Sequence, residues 1–119
     1  MTEPPVPADT LRDVQDRLVA FRDQRDWQQF HTLKDLALAI TVEAGELQEL
    51  LLWVDDDTVL RDRRADVEQE IADVMIQALN FCNAAGIDAA GVIAQKVRLN
   101  AERYPVERAK GNATKYTEL

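Results

Sequence analysis

The chain has 119 residues, 46% apolar and 30% charged, a balance that suits one globular domain with a modest core. Its formal net charge of −8 excludes a basic surface for coating DNA or RNA, yet leaves room for a small anion if metal ions bridge the like charges. A lone cysteine, Cys82, excludes an intrachain disulfide, and no apolar run approaches the ~18 residues of a membrane span, so a cytoplasmic setting is expected.

The first eight residues carry Pro4, Pro5 and Pro7 and read as a disordered lead-in. They hold neither a basic start nor an apolar core, so no secretory signal is expected there. Asp9 or Thr10 can cap a first helix over about 9–25, with Leu11, Val14, Leu18 and Phe21 at helical spacing. Asp26 to Leu33 has no clean period and reads as a loop. A second helix is predicted from about Lys34 to Trp53, followed by an acidic break where Asp57 or Thr58 could cap a short extra turn. A third helix is predicted over about 64–85, stopped by Gly86. Asp88 caps a fourth over about 89–103, ending before Pro105. Residues 9–105 then form the domain, and 106–119 read as a polar tail. The expected fold is all-α, a four-helix bundle.

Glu43-Ala44-Gly45-Glu46 lies on the second helix and Glu70-Ile71-Ala72-Asp73 on the third. Residues three apart share a helix face, so each motif points two carboxylates at one place. At roughly 100° per residue, Glu43 falls among Leu36, Ala39, Leu47 and Leu50, within the apolar arc, and Glu46 falls at its edge. A charge there is costly unless paired or bound to metal. From Glu70 onward the third helix is apolar nearly all round, apart from a stripe of Glu70, Asp73, Gln77 and Asn80. Such a stripe suits a cavity wall. Four carboxylates facing one another demand protons or cations, and hard oxygen donors favour Mg²⁺, with Mn²⁺ as a substitute. The plain alternative is that both motifs are ordinary solvent-facing acidic residues.

Together with Asp26-Trp27-Gln28-Gln29-Phe30-His31, Lys96-x-x-x-Asn100, Arg103-Tyr104-Pro105 and the closing Lys115-Tyr116-Thr117-Glu118-Leu119, these motifs resemble the MazG-type all-α nucleotide pyrophosphohydrolases. The likeness is greater still to the branch that cleaves dCTP, and it spans nearly the whole chain from Leu11. The resemblance implies Glu43, Glu46, Glu70 and Asp73 as Mg²⁺ ligands. It implies Trp27, His31 and Trp53 around the nucleobase, and Lys96 and Asn100 near the phosphates and sugar. It also implies a homodimer or homotetramer with sites built at subunit contacts, acting on a (deoxy)nucleoside triphosphate to clean the nucleotide pool. Within that reaction Glu46 is the candidate to take the proton of the attacking water, and Lys96 the candidate to offset phosphate charge. The sequence departs from the branch at Leu18, where relatives can carry histidine, and at Gln77, where they often carry tyrosine. Both departures bear on base choice, so dUTP or a broad range of nucleotides stays open.

The other residues have simpler readings beside these. Either tryptophan can be a core residue, His31 can cap a helix, and Lys96 can sit on a solvated face. Two other classes compete. A di-iron carboxylate bundle would add histidines to the carboxylate motifs, which are absent here. A helical interaction module without catalysis would carry the acidic stripes only as solvated faces.

Overall fold

The computed structural model describes residues 10–119. The expected lead-in at 1–8 lies outside them. Among the described residues every regular element is helical.

The chain divides after Ile87 into two compact units. The first holds α1 (Leu11–Gln24), α2 (Leu33–Leu50), α3 (Asp56–Asp62) and α4 (Arg64–Ala85). The starts of α1, α2 and α3 have a local cause. Thr10 and Asp13 form a capping box, with Oγ1 accepting from the Asp13 amide at 3.1 Å and the Asp13 carboxylate accepting from the Thr10 amide at 3.2 Å. Thr32 caps α2 by accepting from the Asp35 amide at 3.2 Å. α3 is capped by Asp55, not by Asp57 or Thr58, because its carboxylate reaches the Thr58 amide at 2.8 Å. Asp56 and Asp57 then fill the first turn, where the helix dipole favours negative charge.

Two other boundaries differ from expectation. α2 stops at Leu50 rather than Trp53, because Trp53 adopts φ +61 and leaves the helix. The segment expected to be a plain loop contains a 3₁₀ turn at Gln28–Phe30. α4 runs over the expected span and ends on Gly86, whose φ of +69 is the left-handed conformation that favours glycine.

α4 is the axis of this unit and packs against α1, α2 and α3. Leu36 and Val59 are its buried apolar side chains. Gln15 is more deeply buried, at 1% exposure. Its Nε2 donates to Asn83 Oδ1 and to the Ile87 carbonyl, both at 3.0 Å, and Asn83 Nδ2 returns a bond to the Gln15 carbonyl at 3.1 Å. This exchange ties α1 to the end of α4.

The second unit holds α5 (Ala89–Arg103) and α6 (Val106–Ala109), with a 3₁₀ turn at Tyr116–Glu118. Asp88 caps α5 through the Gly91 amide at 3.2 Å. Residues 106–119 thus hold short helical turns, and their end folds back on α5. The Arg103 guanidinium lies 4.5 Å from the centre of the Tyr116 ring, and Tyr104 meets that ring edge-on at 5.9 Å.

Candidate active site

Carboxylate oxygens of Glu43, Glu46 and Glu70 all lie within 4.8 Å of one another. The three-residue spacing on α2 and the packing of α2 against α4 bring them together. Glu43 and Glu70 are half-buried, and each has one oxygen, Oε2, that is buried with no hydrogen-bond partner. Glu46 is exposed and stands between them in the electrostatics. Burial raises the Glu43 carboxyl above its ordinary pKa, reinforced by hydrogen-bonding contact with Glu46 and by the charges of Glu46, Asp73 and Glu70. Burial also raises Glu70, followed by the charge and hydrogen-bonding contact of Glu46 and the charges of Asp73 and Asp66. Carboxylates held this close need a shared proton or a cation. Orphaned, buried, hard oxygen atoms suit a divalent cation such as Mg²⁺ or Mn²⁺.

Asp73 does not join this tight trio, but its charge acts on Glu43 and Glu70. Its side chain also lines a second feature, a cavity of about 370 Å³ between α1, the 3₁₀ turn and α4. Trp27 and His31 line the same cavity. Asp73 therefore joins the acidic cluster to an aromatic cleft.

The cleft is shaped by the exit from α1. Asp26 takes φ +54, a left-handed conformation that aspartate tolerates, and turns the chain back. The Trp27 amide then donates to the Arg22 carbonyl at 3.0 Å. Phe21 meets the Trp27 ring edge-on at 5.8 Å. His31 has its Nδ1 buried with no partner. Burial lowers the His31 pKa, with a smaller contribution from the Arg22 charge, so the ring is neutral at pH 7.

Trp53 is not part of that wall. It is 99% exposed, beyond the end of α2. Lys96 and Asn100 lie one turn apart on α5 in the second unit, both exposed. Sequence reasoning missed Arg22, Phe21 and Ile76 as cleft residues. One signal was available for Arg22. It sits one turn after Leu18, on a helix face otherwise read as apolar.

Three comparisons bear on this geometry. The sequence model of the MazG-like family matches residues 38–119, which include all four carboxylates. The dCTP pyrophosphatase 1 of Rattus norvegicus is 35% identical over 118 residues, covering 95% of this chain and 69% of that protein. The Homo sapiens enzyme of the same name is 34% identical over the same shares. A crystal structure of a pyrophosphatase from Archaeoglobus fulgidus superposes with a TM-score of 0.75 at 36% identity, covering 87% of this chain and 99% of that one. Family, relatives and fold agree: the chain belongs to the MazG-like family and is a nucleotide pyrophosphohydrolase.

Proposed function

We propose that the chain hydrolyses a (deoxy)nucleoside triphosphate, dCTP or a modified analogue, to the monophosphate and pyrophosphate with Mg²⁺ as cofactor. The observation that carries this is the pair of buried, unpartnered oxygens of Glu43 and Glu70 beside Glu46. Glu43, Glu46, Glu70 and Asp73 would hold the cation, and Mn²⁺ would substitute. When bound, the cation supplies Lewis acidity and neutralises phosphate charge.

The chain's own groups do the rest. Trp27 offers an aromatic face to the base, and such stacking supplies about 1–3 kcal/mol. His31, neutral at pH 7, offers Nδ1 for a hydrogen bond. Trp53, which lies outside the cleft wall, is the further residue that the family resemblance assigns to the base. Lys96 and Asn100 are the residues that the family resemblance assigns to phosphate and sugar. Glu46, the exposed member of the trio, takes the proton as the water oxygen bonds to phosphorus and the α–β anhydride bond breaks, releasing pyrophosphate.

The assembly is a homodimer or homotetramer. Its support is the apolar surface of single helices: Leu38 is 61% exposed and Met75 53%. Among the described residues no helix is long and apolar enough to cross a membrane. Cleansing of the DNA-precursor pool in the cytoplasm is the role that fits.

The test is incubation with Mg²⁺ and each common or modified nucleoside triphosphate, with product analysis. Pyrophosphate and monophosphate should appear, and should vanish with chelator. Glu46→Ala or Glu70→Ala should abolish turnover while the circular-dichroism spectrum stays helical. Turnover surviving in those variants would remove the metal assignment. The same chemistry on dUTP or a wider set is the second reading, favoured by Leu18 and Gln77 in the cleft wall.

A further inference from the structure

The cleft holds a charged group that the chemistry above does not use. Arg22 is only 9% exposed and lines the cavity beside Trp27 and His31. Its Nε donates to Asp23 Oδ1 at 2.9 Å, and Asp23 itself is half-exposed. Among the described residues that is the one partner of its guanidinium, and the two terminal nitrogens, which are not sealed from solvent, are free to donate to a ligand in the cavity that Arg22 lines. A guanidinium held at the wall of a cleft can exchange water on its open donors for paired ligand acceptors, and such charge-assisted bonds are strong. His31 Nδ1 is a second open polar atom in the same wall. An available guanidinium fork and one unpartnered ring nitrogen in one aromatic cleft point to one polar, planar ligand.

We propose that Arg22 is a specificity-determining residue that reads the nucleobase, its two terminal N–H groups donating to two neighbouring acceptors on the base edge. This rests on the nucleotide hydrolysis proposed above. The guanidinium is a planar fork that matches paired acceptors. Cytosine offers such a pair at O2 and N3, and guanine at O6 and N7. Uracil and thymine do not, because N3–H separates their carbonyls. Adenine does not, because its amino group flanks its acceptors. A phosphate partner fits this position less well. Phe21 and Trp27 make the local wall aromatic, and of the carboxylates that would hold a cation for the phosphates only Asp73 lines this cavity, while Glu43, Glu46 and Glu70 do not.

The experiment uses the full chain in two arms. In the first, metal-free calorimetry measures dCMP, dGMP, dUMP and dAMP. Tighter binding of dCMP or dGMP by about tenfold or more is expected, and equal affinities would overturn the proposal. In the second, kcat/KM is measured for the matching triphosphates with Mg²⁺ in wild type, Arg22→Ala and Arg22→Lys. Arg22→Ala should lose about tenfold more on dCTP or dGTP than on dUTP and dATP. Arg22→Lys, which keeps charge but not the fork, should recover only part of the preference. The dCTP and dGTP arms decide between the two bases. An equal loss on every nucleotide in both variants would make Arg22 structural and overturn the proposal. Because the first arm needs no turnover, selective binding without hydrolysis would sink the reaction and keep the reader.

Discussion

Glu43 and Glu70 each hold a buried oxygen with no donor, and their pKa values are raised by burial and by one another's neighbours. A carboxyl whose folded pKa exceeds its unfolded value, near 4.5, favours the fold while protonated. Its contribution is full below the unfolded pKa and is lost as pH rises through the folded one. His31 works in the opposite sense, its contribution being present above 6.5 and lost as pH falls through its lowered value. In the proposed site only the carboxylates would bind the cation, so Mg²⁺ would separate the two. The rise in melting temperature on adding Mg²⁺ should be small near pH 5 and grow towards pH 8. Glu43→Gln should shrink that rise at pH 8 and stabilise the metal-free protein there. A Mg²⁺ effect independent of pH and of Glu43 would remove these groups from the metal site.

Trp53 poses a different problem at the same scale. A bulky residue at φ +61 is strained, and a tryptophan 99% exposed gains nothing from packing. That strain and exposure agree with the role proposed above, in which Trp53 meets a nucleotide or a second subunit. Trp53→Gly should therefore raise the stability of the free protein by up to about 1 kcal/mol, since glycine adopts this conformation without strain. It should also weaken nucleotide affinity. Lower stability with unchanged affinity would mean that Trp53 packs in the free protein.

At the scale of elements, how much could be read in advance depended on whether the cause was local. The bounds of α4 and α5 were legible because Gly86 and Asp88 stop and start them within one turn. The trio was legible because Glu43 and Glu46 share a face and an apolar surround marks both Glu43 and Glu70. α2 was read three residues too long because nothing in the local sequence marks Trp53 for its left-handed state. Gln15 was invisible because its reason is tertiary. A polar side chain on an apolar face looks like noise until its partner, 68 residues away in the case of Gln15 and Asn83, is known. That partnership makes a testable claim about the α1–α4 junction. Gln15→Leu keeps nearly the same shape and adds apolar character at a site 1% exposed. On hydrophobicity alone it should stabilise. It should instead cost about 1–3 kcal/mol, because Asn83 Oδ1 and the Ile87 carbonyl lose their donor. Chemical denaturation reads the difference directly, and a more stable Gln15→Leu would show that the exchange contributes little.

At the scale of the whole molecule the question is what covers the apolar helix faces. Among the described residues only Leu36, Val59 and Ala89 are buried apolar side chains. Leu38 and Val42 stand one turn apart on α2, 61% and 49% exposed. Ile71 and Met75 do the same on α4, 39% and 53% exposed. Isolated apolar residues on a surface need no explanation, but pairs one turn apart on each of two helices leave apolar faces open. Burying them at about 25 cal/mol per Å² is the available gain, and a second copy of the chain is the partner that the family resemblance implies. Sedimentation should therefore give a dimer or tetramer of the 13.5 kDa chain. Leu38→Lys discriminates a subunit contact from an idle surface. The side chain is open in the single chain, so the change should alter a monomer's stability by no more than about 0.5 kcal/mol. In an assembly it places a charge in an apolar contact, and the particle should shift to a smaller species with its helix content unchanged. Activity should fall with it, because the resemblance builds each site from residues of two subunits. A wild-type monomer in solution, or a Leu38→Lys protein that keeps both size and activity, would place the subunit contact elsewhere and leave the α2 face to another partner.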